Sequence, residues 1–426
     1  ITVTASAEEV SLNAPSDYKV EKVASLGNVS AFTFDFEGNY IVAENLGNAY
    51  RVSKVAPDGT SKILLDRTSQ AITNLSFYQG KVYIVTRGNI YKINKGKISD
   101  VLNGLPSAGD YGNSGLVFVN GSLYVAIGSA TNSGVVGADN GWLPGNPAVH
   151  DVPCFSSKMS GVNITTDNFL TAKKDDQAIT GSFMPFNTPL NAGQTVYGQN
   201  KCNGAIIKAT PAGDVIQIFA WGFHNPKGLS VDDSGRLWLL DGGMEDRGVR
   251  PIKNAKDALY RVTEKVWYGW PDFNAGNQVE QQAILAEFPN QPPKPEAQFD
   301  LNQIRYGIVA PKTFITSSAL ALVSDQKINR LNLSGNGLTD FLSVTGGNIT
   351  QYKFGPDDKL YILVSAGKGK TELYALTSTL PQVSSVAGST KNRSLPMPWL
   401  LGGMFAALIG GGFFALRNLK RTVPPL

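Results

Sequence analysis

The sequence predicts an all-β chain, a six-bladed β-propeller followed by one C-terminal transmembrane α-helix. Three observations carry this expectation: a strand repeat of about 40 residues, a glycine-rich and charge-poor composition, and one long uncharged apolar run near the end. With 426 residues, 42% hydrophobic and 17% charged, the chain can bury a large core, and its 45 Gly suit many short strands joined by turns.

Each repeat opens on an alternating apolar stretch, turns through polar residues, and continues as an apolar strand centred on one residue. The copies are FTFDFEGNYIVAE around Tyr40, LSFYQGKVYIVTR around Tyr83, LVFVNGSLYVAIG around Tyr124, LSVDDSGRLWLLD around Trp238 and YKFGPDDKLYILV around Tyr361, with TFITSSALALVSD around Ala321 as a weaker sixth. Tyr40 to Tyr83, Tyr83 to Tyr124 and Ala321 to Tyr361 each span about 40 residues, the length of one four-stranded blade. A second set of short strands, AYRVSKV, IYKINKG, IIKATPA, LYRVTEK, INRLNLS and LYALTST, follows in the six units and reads as the third strand of each blade.

Two segments break the period, about 129–201 and about 274–304, and insertions in repeat folds collect on one face, where a ligand mouth or partner surface forms. The first carries His150, Cys154 and, just beyond it, Cys202; these two cysteines either close one disulfide outside the cytoplasm or stand as unrelated thiols. The chain starts at Ile1 without Met, which reads as a mature terminus left by signal-peptide removal or as an artificial start. The expected organisation is a propeller over 1–380, a small polar tether over 381–393, a span over 394–417 and a short tail over 418–426.

From Ser394 to Leu416 no residue is charged, and Arg417, Lys420 and Arg421 follow. That is the length of one membrane span, with Trp399 at one interface and the basic residues on the cytoplasmic side, which places the propeller on the periplasmic or extracellular side. Gly402, Ala406 and Gly410, and likewise Gly403, Ala407 and Gly411, repeat every four residues. This small-residue face suits close packing against transmembrane subunits of a partner, or belongs to a plain anchor. The net charge of +4 is spread among interleaved acids, so no basic stripe for nucleic acid exists.

Candidate chemistry sits on loops around the repeat strands. Asp241-Gly-Gly-Met-Glu245-Asp246-Arg247-Gly248 gathers three carboxylates on a bendable loop, a donor set that suits a hard cation such as Ca²⁺, while the alternative pairs Glu245 or Asp246 with Arg247 or Arg250 to pin the blade. No phosphate-cradling glycine loop, nucleophile elbow, zinc spacing or CxxCH haem attachment is present in the sequence.

The segment Phe219 to Phe273, FAWGFHNPKGLSVDDSGRLWLLDGGMEDRGVRPIKNAKDALYRVTEKVWYGWPDF, resembles the soluble glucose and sorbosone dehydrogenase family. Those are six-bladed propellers that oxidise sugars with pyrroloquinoline quinone (PQQ). The resemblance covers about 31–376 and leaves the tail outside. It implies PQQ and Ca²⁺ as cofactors, a general base at Tyr111, where the family has His, and a cofactor-facing cation at His224, where the family has Arg before the Asn-Pro pair. Phenol, with a pKa of about 10, is a poor base near neutral pH, and His replaces the forked Arg cation only when protonated. His224 then serves as a substitute base or ligand, or as a hydrogen-bonded channel residue. Cofactor-binding positions implied by the resemblance are Asn113, His224, Asn225, Asp257, Tyr268 and Trp270, with Asp241, Glu245 and Asp246 towards a metal.

Two functions follow. One is a membrane-anchored extracytoplasmic sugar or polyol dehydrogenase in which the altered Tyr111 and His224 weaken or abolish PQQ-dependent oxidation. The other is a non-catalytic propeller scaffold in a respiratory or photosynthetic membrane complex, with no cofactor at all.

Overall fold

The computed structural model describes residues 9–171, 173–333 and 337–379. Short strands whose alternate residues are apolar on both sides can only be buried if each sheet is covered on both faces. The chain solves this with six antiparallel sheets, each packed between two neighbours.

Blade one is Val29–Phe34, Tyr40–Asn45, Tyr50–Val55 and Ser61–Thr68, and blade two is Asn74–Tyr78, Lys81–Val85, Ile90–Asn94 and Lys97–Leu102. Blade three is Asn113–Val119, Ser122–Ile127, Ala205–Ala209 and Val215–Trp221; blade four is Asn225–Val231, Leu237–Gly242, Lys256–Arg261 and Ala297–Asp300. Blade five is Tyr306–Val309, Ser318–Ser324, Lys327–Asn332 and Leu338–Thr345, and blade six begins with Asn348–Phe354, Leu360–Ser365 and Thr371–Ser378. The predicted second and third strands of all six units therefore form where the repeat places them.

The second strands show how the alternation works. In blade one, Ile41 and Ala43 pack towards blade two, while Tyr40 and Val42 pack towards Tyr361 and Leu363 of blade six. In blade four, Leu239 meets blade three, and Trp238 and Leu240 meet blade five. Turn chemistry is equally local. In blades two and three the first hairpin turns on Gln79-Gly80 and Asn120-Gly121, both residues at positive φ, the backbone that a two-residue hairpin requires. In blades one and four, Asp35 and Asp232 accept backbone N–H groups two and four residues ahead and close longer turns.

The sixth blade takes its outer strand from the N-terminus. Tyr18–Leu26 pairs antiparallel with Thr371–Ser378, from Tyr18↔Ser378 to Leu26↔Thr371, and closes the ring. Ser11–Asn13 adds a fifth strand to blade five against Leu338–Thr345. Neither strand belongs to the 40-residue repeat, so the period alone does not announce them.

The first insertion runs between Ser122–Ile127 and Ala205–Ala209. It holds two small hairpins, Ser157–Lys158 with Thr195–Val196 and Asn163–Asp167 with Gln177–Gly181. The second differs from expectation: Ala297–Asp300, inside the predicted 274–304 stretch, is the outer strand of blade four, and the added chain runs between Arg261 and Ala297. Its Pro-rich approach and its length of one short strand disguise it. The two insertions pack on each other over blades three and four. Val135, Met159, Phe183 and Leu190 share one core with Met244, Trp267, Trp270, Phe273 and Leu285.

Cys154 and Cys202 form a disulfide at the base of the first insertion. The predicted tether, the span with Trp399, Gly403, Ala407, Gly411 and Arg417, and the tail lie outside the described residues. Among the described residues no helix is long and apolar enough to cross a membrane.

Candidate functional site

Inner strands of all propeller blades start at the same end of the central channel, so the residues just before Asn113–Val119 and Asn225–Val231 lie at one mouth. The structure brings the two positions singled out by sequence into contact there. Tyr111 and His224 meet edge to face, ring centroids 4.6 Å apart.

His224 is held from three sides. Its backbone N–H and that of Asn225 donate to the two oxygens of Asp241 (3.1 and 2.8 Å), its carbonyl accepts from Ser129 N–H at 2.8 Å, and its Nδ1 lies 2.8 Å from Gly242 O. Only 2% of the residue is exposed. Burial pulls its pKa down to about 4, so at neutral pH the ring is uncharged, with Nδ1–H donating and Nε2 left as a buried acceptor without a partner. Asp241 is desolvated by the same packing, and its carboxyl is pushed up to about 7.

Tyr111 is tied to Arg247, whose Nη2 donates to its hydroxyl at 3.2 Å. Burial, and then the nearby Glu245 charge, push the phenol well above its ordinary range, so it keeps its proton. Arg247 is the hub of the mouth. Its guanidinium pairs with Asp110 at 2.6 Å through Nη2, with Asp139 through Nη1 and with Glu245 through Nε. Burial opposes the charge, but the hydrogen bonds to Glu245, Asp110 and Tyr111 outweigh it and hold the guanidinium above its usual pKa. Asp110 is further bound by Trp142 Nε1 at 2.7 Å and by the Asn140 amide.

The other sequence-predicted positions separate from this centre or serve the scaffold. Asn113 donates its amide to Thr86 O and Arg87 O, clipping blade three to blade two, and leaves its Oδ1 a buried acceptor without a partner. Asp257 is fully buried and pairs with Lys227 Nζ at 3.0 Å. Tyr268 accepts Thr263 N–H and stacks on Phe223, and Trp270 donates to Asn132 O in the core between the insertions. Asp246 is exposed. Among the described residues no group of three or more His, Cys, Asp or Glu side chains gathers as a metal-holding cluster, and Asp241, Glu245 and Asp246 do not converge. The pairing of Glu245 with Arg247 follows the pinning alternative. Arg250 likewise pins the chain: it pairs with Asp272 at 3.0 Å and donates to carbonyls of Ser133, Pro271 and Gln282, drawn from both insertions.

Sequence reading missed Asp110 and Asp139. They sit on different loops from Arg247, and no spacing links the three; only the adjacency of Asp110 to Tyr111 offered a signal.

Whether the mouth fits PQQ can be judged from its donors. The quinone is anionic and asks for fixed cations and N–H groups. The mouth instead offers carboxylates, cations that are already occupied (Arg247 by three carboxylates, Lys227 by Asp257, Arg87 by backbone carbonyls), an uncharged imidazole, and orphaned acceptors at His224 Nε2, Asn113 Oδ1 and Asp139 Oδ1. This donor set does not fit the anion.

The fold itself has many counterparts. Residues 198–375 match the Glucose / Sorbosone dehydrogenase family model. No curated protein matches the chain. Among solved structures, the PQQ domain of pyranose dehydrogenase from Coprinopsis cinerea, in its holo form, is similar with a TM-score of 0.53 and 10% identity, covering 88% of this chain and 99% of that one. The soluble aldose sugar dehydrogenase of Escherichia coli, in its apo form, follows with a TM-score of 0.51 and 15% identity, covering 85% of this chain and 99% of that one. At these identities the likeness shows the shared six-bladed architecture, and the family match is a similarity confined to residues 198–375.

Proposed function

We propose that this chain is a membrane-anchored, extracytoplasmic dehydrogenase-like propeller in which PQQ-dependent sugar oxidation is weak or lost, and which serves as a rigid scaffold for membrane partners. The carrying observation is the closed network at the channel mouth, Arg247 between Asp110, Asp139 and Glu245 with neutral His224 packed on Tyr111. A histidine whose pKa is pulled down to about 4 is a weak base, and with a cation already matched by three carboxylates it leaves little for sugar oxidation to use. The anchor and its orientation rest on the uncharged run Ser394 to Leu416 and the basic residues after it.

A second reading, a working PQQ dehydrogenase, is favoured by the family match over 198–375 and by the holo PQQ domain among the structural relatives. Reconstitution with PQQ and Ca²⁺, followed by dye-coupled oxidation across a panel of aldoses, separates the two. The scaffold reading expects no saturable cofactor uptake even at millimolar PQQ. Tight uptake with sugar-dependent turnover establishes the enzyme instead.

A further inference from the structure

The central channel holds a second site, away from the mouth, built on a lysine. A cavity of about 420 Å³ lies among the inner strands of all six blades, with Thr33, Ser76, Leu116, Ser230, Ile308 and Lys353 each contributed by a different blade. Among the described residues lining it, Lys353 alone is charged; the other ionisable groups are the phenols of Tyr78 and Tyr306. Lys353 Nζ lies 2.6 Å from Asn74 Oδ1 and 2.7 Å from Leu75 O, and 5.7 Å from the centre of the Phe32 ring. Among the described residues no carboxylate pairs with it.

This arrangement matches a neutral amine better than an ammonium. A neutral amine has two hydrogens, both accepted here, and one lone pair; an ammonium would bring a third proton and a charge that no carboxylate of the described lining matches. Burial acts in the same direction and brings the pKa of Lys353 down to about 7. Desolvated lysines of this kind are the ones that form imines.

We propose that Lys353 is a carbonyl-capturing residue, an amine that forms an imine with small aldehydes entering the central channel. The Nζ lone pair adds to the carbonyl carbon, a proton passes from nitrogen to the former carbonyl oxygen, and loss of that oxygen as water leaves the C=N bond. No oxidant or reductant enters the step. The inference stands apart from the reading of the channel mouth, because it uses none of the residues there.

Glycolaldehyde with sodium cyanoborohydride tests it, since the reductant fixes any imine as a secondary amine that peptide mapping locates. In the folded full chain at pH 7, Lys353 is labelled at least about tenfold faster than the average surface lysine, because an ordinary lysine near pKa 10.4 is almost entirely protonated there. In urea that preference disappears. Lys353→Arg, checked for folding by its melting curve, loses the fast labelling while the surface lysines react as before. Labelling of folded Lys353 at or below the surface rate overturns the proposal, as does a preference that survives unfolding or a fast phase that survives Lys353→Arg.

Discussion

The rings of Tyr111 and His224 meet edge to face, 4.6 Å between centroids, and each is secured from behind by a different partner: Tyr111 by Arg247 and His224 by the carbonyl of Gly242. The two positions where the family resemblance calls for a base and a cation thus pack against each other, with His224 Nε2 left unpartnered. A buried imidazole with a low pKa leaves a thermodynamic trace that can be measured without any substrate.

Above pH 6.5 the His224 ring is neutral in folded and unfolded chains alike and adds no pH dependence. As pH falls from 6.5 towards about 4, only the unfolded chain takes the proton, so stability is lost across that window, by about 2 kcal/mol between pH 7 and pH 5. Asp151 and Asp241, both pushed up to about 7, act in the opposite sense: the folded chain keeps their protons, and stability is lost as pH rises towards and through 7. The difference between wild type and His224→Gln isolates the imidazole. Thermal melts at pH 7 and pH 5 should show the variant gaining stability relative to wild type on acidification, and parallel slopes would mean that His224 titrates normally.

A buried ion pair stands where the two insertions meet, beside the core they share. Arg250 and Asp272 are 2% and 0% exposed at their side chains, and Asp272 also accepts the backbone N–H groups of Ile284 and Leu285. Removing the cation in Arg250→Leu strands the carboxylate and costs about 3–5 kcal/mol, and Arg250→Leu with Asp272→Asn recovers part of that loss because no buried charge is left. Urea unfolding of the three proteins measures this. A single variant as stable as wild type would show that the pair does not hold the insertions.

How much of this was legible in the sequence depended on how local each cause is. Strands such as Tyr40–Asn45 and Leu360–Ser365 declare themselves because both faces are buried and every second residue answers to a different neighbour. The disulfide was open to inference because Cys154 and Cys202 are the two cysteines of the chain. Arg247 was named with Glu245, two residues away, whereas Asp110 and Asp139 stayed hidden: their meeting with Arg247 is made by the ring, not by the chain. The same holds for the outer strand Ala297–Asp300, a short polar-edged segment that only its partner Lys256–Arg261 defines.

Ring closure by Tyr18–Leu26 is the least sequence-evident feature and the one on which the whole propeller depends. Tyr18 packs between Phe314 and Phe341, and Val23, Ala24 and Leu26 join the core shared by blades six and one. Deleting residues 1–15 removes Ser11–Asn13, a fifth strand outside the four that make up blade five, together with the buried Val10 and its bond from the Tyr374 hydroxyl, so a folded protein with a lower melting temperature is expected. Deleting residues 1–27 uncovers the edge of Thr371–Ser378, an apolar strand with unpaired N–H and C=O groups and a ready template for pairing with other chains. Size-exclusion chromatography and melting curves compare the two truncations. The longer one should aggregate or unfold well below the shorter, because a propeller without its closing strand has lost the hydrogen bonds that join its first and last segments and must find an edge elsewhere. A soluble protein of unchanged melting temperature would instead mean that inter-blade packing around Tyr361, Leu363 and Val42 holds the ring shut by itself.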